Sequence, residues 1–238
     1  MVKFSSEALL RMRGVQKDYR SLRPLRVARL EVAAHESVAL LGFDQAMAEV
    51  FIDLLTGRSV PDGGEVVTLG RPTTAIADAD AWLATLDRFG IVSERAVLVG
   101  ELSVEQTLAL SFSFGLDALS SEAKGRVGTI GREVGLGTHL DAAVGSLPPL
   151  SRVRVQLGRA LASDPDILLL EHPNASLSPQ DALLFAADVR RVTVNRPIAT
   201  VVLTADRAFA EAAAADVLTL QPATGELRRQ SGWKRWLG

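Results

Sequence analysis

The chain has 238 residues, a formal net charge of −2, 47% apolar and 23% charged residues, and no cysteine. That length can bury a large core, and the composition is ordinary for a globular protein. The charge balance offers no basic stripe, so no nucleic-acid partner is expected, and without cysteine disulfides and thiolate metal sites are excluded.

The opening stretch MVKFSSEALLRMRG lacks a long apolar run ahead of a small-residue cleavage site, so no signal peptide is expected. Charges interrupt every apolar stretch well before the roughly 18 residues that span a bilayer. The expected location is therefore the cytoplasm, with any membrane spans provided by another chain. Strand-like runs follow at Leu9–Val15, Val27–Val32 and Val38–Gly42, and their closeness reads as an antiparallel element. A helical pattern covers Met47–Thr56 and is closed by Gly57. Further strands are expected at Glu65–Leu69 and Gly90–Ser93, then helices at Val104–Phe112, Ser121–Val134 and Arg152–Ala162. The last part alternates the strand Ile167–Leu170, the helix Pro179–Val192 and the strands Thr200–Leu203 and Val217–Leu220; the run EAAAAD (211–216) is expected in a helix. ILLL and TVVL are continuously apolar, as buried parallel strands are. The fold class expected is α/β, a mostly parallel sheet with an antiparallel β element and an inserted helical subdomain. Residues 1–96 and 152–238 are read as the core and 97–151, which contains no convincing strand, as the helical insertion.

The three histidines, His35, His139 and His172, stand far apart and show no metal-ligand spacing, so no metal site is expected from them. The C-terminal SGWKRWLG sets two tryptophans beside Lys234 and Arg235. It suits a membrane-surface or partner contact and equally a tail folded back on the domain.

The segment GRALASDPDILLLEHPNASLSPQD (158–181) resembles the stretch from the signature helix through the Walker B strand of ABC transporter ATP-binding subunits. SVALLG (37–42) resembles the Walker A strand of that family, PDGGEVVTLGRP (61–72) its next turn and strand, ELSVEQTLAL (101–110) the start of its helical subdomain, and TVVLTAD (200–206) the strand carrying its switch histidine. Tyr19 falls where the family sets an aromatic ring against adenine; a lone aromatic before a loop also serves plain packing. The resemblance covers nearly the whole chain in order and spacing. It implies a P-loop NTPase-like (ABC ATPase) fold, ATP and Mg²⁺ as cofactors, a transmembrane ABC transporter subunit as partner, a peripheral place on the inner face of the membrane, and dimeric assembly.

The chemistry departs from that pattern. A P-loop needs G-x-x-x-x-G-K-[ST], in which backbone N–H groups and a lysine hold phosphates and a hydroxyl ligates Mg²⁺. Here Gly42 fills the first position, followed by Phe43, Asp44, Gln45 and Ala46, while Met47, Ala48 and Glu49 stand at the second glycine, the lysine and the hydroxyl. A carboxylate about 4 Å from a phosphate costs roughly 4 kcal/mol at an effective dielectric near 20, about a thousandfold in affinity. The same residues read as a capped helix, with Asp44 as N-cap and Glu49 near the positive helix end, so that the protein's own carboxylates take the anion site. Glu171 and His172 stand at the Walker B Asp-Glu; His172 is a base in principle and otherwise a histidine ending a buried strand. Glu94 aligns with the family's coupling glutamine, Ala205 with the switch histidine, Ser178 with the D-loop aspartate, and Leu147-Pro148-Pro149-Leu150-Ser151 with the signature LSGGQ. Two prolines there remove donors that glycines present at a helix N-terminus. Arg95 and Lys17 are the nearest cations, and neither lies on the loop.

The reading is a degenerate, non-catalytic subunit with no catalytic residue and no bound cofactor. It would act as a structural or regulatory partner in a membrane transport complex, beside an ATPase-competent ABC subunit or none. The alternatives are a functioning divergent ATPase and a soluble regulator outside transport. The nucleotide-site positions are Tyr19, Gly42, Asp44, Gln45, Ala48, Glu49, Glu94, Glu171 and His172.

Overall fold

A computed structural model describes residues 8–112 and 119–229. The C-terminal SGWKRWLG, for which a surface or partner contact is expected, lies outside the described residues. Strands β1 (Ala8–Lys17), β2 (Leu25–Ala33), β4 (Gly63–Thr68) and β5 (Arg71–Pro72) form an antiparallel sheet in the order β2-β1-β4-β5. The second sheet runs β10-β9-β3-β8-β7-β6, from β3 (Ser37–Leu41), β6 (Phe89–Ser93), β7 (Ile167–Glu171), β8 (Ala199–Leu203), β9 (Asp216–Gln221) and β10 (Glu226–Arg229). Its pairings are parallel except for β9 with β10.

The central strands bury both faces, which is why they are continuously apolar. Val38 and Leu40 of β3, Ile167 and Leu169 of β7, and Val201 and Leu203 of β8 face a core shared with the antiparallel sheet and helix α1 (Gln45–Leu55). The alternate residues Ala39, Leu41, Leu168, Leu170 and Val202 face a second core. Helices α3 (Val104–Ala109), α4 (Ser121–Glu133), α5 (Pro149–Ala162), α6 (Pro179–Asn195) and α7 (Arg207–Ala213) pack there. Period-2 alternation thus sends each strand's side chains into two separate cores.

Several elements depart from the sequence expectation. Helix α1 starts at Gln45, two residues before the apolar periodicity, because the side chain of Asp44 accepts from the Met47 amide and caps it there. Helix α5 starts at Pro149 rather than Arg152, since proline at the first helical position lacks only an amide that has no intrahelical partner. The alanine run 211–216 is split: α7 ends at Ala213 and Asp216 already belongs to β9. Two strands and one helix escape the pattern reading, namely β5, β10 and α2 (Ala79–Leu86), the last of which has no buried residue, and α7 (Arg207–Ala213) is met only at its C-terminal end.

Candidate functional site

The C-terminal ends of β3, β8, β7 and β6 lie side by side, the place where open parallel sheets hold ligands. After Leu41 the chain turns at Gly42, whose φ of +90° suits glycine, and a Cβ there would lie 3.3 Å from the carbonyl of Leu220. Phe43 is buried and meets Phe51 edge to face at 5.2 Å, so an aromatic ring anchors the turn. Asp44 then consumes two amides: its carboxylate accepts from Met47 N at 2.8 Å and its carbonyl from Ala48 N at 2.9 Å. These are the amides at the second glycine and the lysine position of the P-loop spacing. Ala48 is fully buried against the core. A lysine there would begin inside the protein rather than over a phosphate.

Glu49 corrects the sequence reading. It is the fifth residue of α1, and the first turn carries no acidic residue. The helix dipole acts within the first turn, so it does not hold this carboxylate. Arg95 does: its Nη1 donates to Glu49 Oε1. The same guanidinium reaches Glu171 Oε2 through Nε at 3.2 Å and Nη2 at 2.8 Å. Ser93 Oγ donates to that oxygen at 2.8 Å, and Gln45 Nε2 donates to Oε1 at 2.7 Å. Glu171, 1% exposed, therefore accepts from three side chains and has no oxygen left unpaired.

Backbone geometry assembles this cluster. Parallel pairing of β6 with β7 sets Ser93 opposite Glu171. Beyond Ser93 the chain folds back, with Arg95 N donating to Ser93 Oγ and Ala96 N to Ser93 O. Gln156 of α5 reaches the carbonyls of Ser93 and Ala96. Burial works against the charge of Arg95, but hydrogen bonding and attraction from Glu171, then Glu49 and Asp53, raise its pKa above the ordinary arginine value. Two carboxylates and one guanidinium satisfy each other without a metal ion or a phosphate. The N-cap expected at Asp44 is present, while at Glu49 an internal cation takes the part assigned to the dipole.

The remaining positions scatter. His172 follows the end of β7 with φ +43° and donates its amide to Leu203 O at 2.8 Å, while its Nε2 is buried without a partner. Glu94 is exposed and lines a separate depression with Val97, Pro149 and Gln156. Tyr19 is half-buried beside Val50 and Asp53 at a cleft of about 290 Å³. Desolvation raises the pKa of Asp53 there, against the opposing charges of Arg58 and Arg95. Ala205 is exposed, and beside it Thr204 Oγ1 donates to Asn174 Oδ1 at 2.9 Å, joining the segment after β7 to that after β8. Ser178 caps α6, accepting from Asp181 N. Gln45, Glu49 and Glu171 thus converge, whereas Tyr19, Glu94 and His172 take no part in that cluster. Ser93 and Arg95 complete it and stand outside the positions expected from the sequence; the available signal is the strand ending at Ser93, whose parallel neighbour carries Glu171. ATP with Mg²⁺, which the family resemblance implies, does not fit these residues. The carboxylate that would face the metal is saturated, and no lysine or hydroxyl stands on the turn.

No family model matches the chain. It is 32% identical over 198 residues to the phosphonates import ATP-binding protein PhnC of Anaeromyxobacter dehalogenans (strain 2CP-C), covering 79% of this chain and 39% of that protein. It is 27% identical over 203 residues to the Fe(3+) ions import ATP-binding protein FbpC of Serratia marcescens, covering 84% of this chain and 57% of the relative. The chain thus spans well under two thirds of these relatives' lengths. Among solved structures, cbiO1 from Clostridium perfringens, part of the ABC transporter complex cbiONQ, superposes with TM-score 0.79 at 18% identity over 95% of this chain and 89% of that one. The dimeric bacterial ABC transporter cassette MJ0796 gives 0.73 at 21% identity, over 92% and 97% of the two chains. Sheet order and these likenesses agree: the chain belongs to the nucleotide-binding-domain family of ABC transporters.

Proposed function

We propose that the chain is a nucleotide-binding-domain-like subunit that does not hydrolyse ATP and serves a membrane transport complex as a structural or regulatory partner. The observation that carries this reading is the saturation of Glu171 by Arg95, Ser93 and Gln45, with Glu49 on the other side of the guanidinium. A Mg²⁺ ion at Glu171 would have to displace three donors and leave an arginine beside it. The amides tied up by Asp44 support the same reading from the phosphate side. His172 gives this reading no opposing evidence: its Nε2 is buried and makes no hydrogen bond among the described residues. In this reading residues 1–96 and 152–238 form the core unit and 97–151 the inserted helical unit.

The partner is a transmembrane ABC subunit, which would place the chain peripherally on the inner face of the membrane. No helix among the described residues is long and apolar enough to cross a bilayer. The depression lined by Glu94, Val97, Leu98, Gly145, Pro149 and Val153 has a volume of about 570 Å³, with Val97 79% exposed and Val99 beside it 49% exposed. Clustered exposed apolar side chains at a concave surface suit an amphipathic partner segment. An ATPase-competent ABC subunit as a second partner is the other form of this reading, in which the prolines of the signature-like segment leave that partner's nucleotide without the usual donors from this chain. The test is affinity purification from detergent-solubilised membranes with an ATPase assay on the product. The reading predicts a co-purifying membrane chain, reduced by Val97→Asp, and no turnover by this chain alone. A steady ATPase rate abolished by Glu171→Gln or His172→Ala would instead establish a divergent ATPase.

A further inference from the structure

Outside the strand-end cluster, one cavity combines features that nothing described so far uses. It lies between the β4–β5 hairpin and helix α2 and has a volume of about 390 Å³, within the range of small-molecule sites. Leu69, Ile76 and Ala84 supply apolar walls, and Arg71, Arg88 and Thr73 supply polar groups. No carboxylate lines it.

Three donors are uncommitted. Thr73 is 2% exposed, and its buried hydroxyl has no hydrogen-bond partner. Buried side-chain polar atoms are nearly always paired, so this one calls for a cause. Thr68 and Thr85, which also line the cavity, donate their hydroxyl hydrogens to the carbonyls of Leu55 and Ala81. Thr73 is therefore the one threonine of the three with its proton free. Arg88 donates through Nε to Asp166, and its two Nη groups form no hydrogen bond among the described residues. The side chain of Arg71 forms no ion pair or hydrogen bond among the described residues, and its backbone is held opposite Thr68 by the tight turn through Leu69 and Gly70, at φ +52° and +77°. The helix closing the cavity fits the same picture. Its lining residues Ala81, Ala84 and Thr85 are small and none is buried, so this face of α2 leaves room for a bound molecule.

We infer that this cavity binds a small organic carboxylate with an apolar body. The guanidinium fork matches a carboxylate in geometry as well as charge, the free hydroxyl of Thr73 adds a third donor, and the aliphatic walls take the hydrocarbon part. A bare inorganic anion would leave those walls without a partner.

Titration of the whole chain with benzoate, followed by backbone amide NMR shifts, tests this. Benzamide serves as the neutral isostere and inorganic phosphate as the apolar-free anion. The expected result is saturable benzoate shifts at residues 71–88, at least tenfold weaker binding of benzamide, and no displacement by equimolar phosphate. Arg71→Gln, at an exposed position, should weaken benzoate at least tenfold, and Thr73→Val at least threefold, with circular dichroism confirming that both variants fold. Equal binding of benzoate and benzamide overturns the inference. So does competition by phosphate at equal concentration, or a Thr73→Val variant that binds as the parent does and melts higher, which would make the hydroxyl a mere packing defect.

Discussion

Arg95 decides the character of the strand-end cluster. It is the cation facing both Glu49 and Glu171, and it arrives from the loop after β6 rather than from the turn after β3. Arg95→Gln leaves the buried Glu171 with Ser93 and Gln45 alone. Breaking a buried pair typically costs 3–5 kcal/mol; with the Arg95 side chain 36% exposed, the expected loss is about 1–3 kcal/mol, read as a lower urea midpoint at unchanged slope. Asp53 gives a pH signature of known sign. Burial raises its folded pKa, so the folded state binds the proton more tightly than the unfolded chain does. Its contribution to stability is fully present below the unfolded value and is lost as pH rises through the raised folded value. Asp53→Asn should therefore stabilise the protein at pH 7 and leave it unchanged at pH 3, measured as melting temperatures at the two pH values.

At the scale of the element, α1 carries the clearest test of the turn. Asp44→Ala removes the cap of α1 and should cost about 1 kcal/mol, with Asp44→Asn nearly neutral in urea melts. Ala48→Lys, the change that would restore the missing lysine, instead forces a charge into a fully buried position. It should destabilise by about 2–4 kcal/mol and confer no binding of Mg·ATP in a melting-temperature series. The parts legible from the chain are those whose burial writes a pattern. The runs in β7 and β8 are apolar throughout because both faces are covered, and the Asp44 cap is local by nature. The missed elements write none. Strand β5 is two residues ending in Pro72, β10 is the polar edge ELRR, and α2 buries nothing. Arg95 was visible as a charge but not as a partner. Its two carboxylates lie 46 and 76 positions away, and only the parallel pairing of β6 with β7 brings them together.

For the whole molecule, the sheets and two cores are those of an ABC nucleotide-binding domain, while the groups at the strand ends are turned on one another. A fold of this kind persists without its ligand because the core owes nothing to the site: Phe51, Leu40 and Leu169 are buried regardless of what stands above them. The cluster also shows why deciding nucleotide competence from the turn alone would mislead in both directions. A missing lysine leaves open a cation from elsewhere; here that cation exists, and the protein's own carboxylates hold it. The most direct measurement is calorimetric titration of the isolated chain with ATP in excess Mg²⁺. No saturable heat is expected at millimolar nucleotide, for the parent chain and for Arg95→Gln alike. Saturable binding tighter than roughly 0.1 mM, about −5.5 kcal/mol, would contradict that expectation.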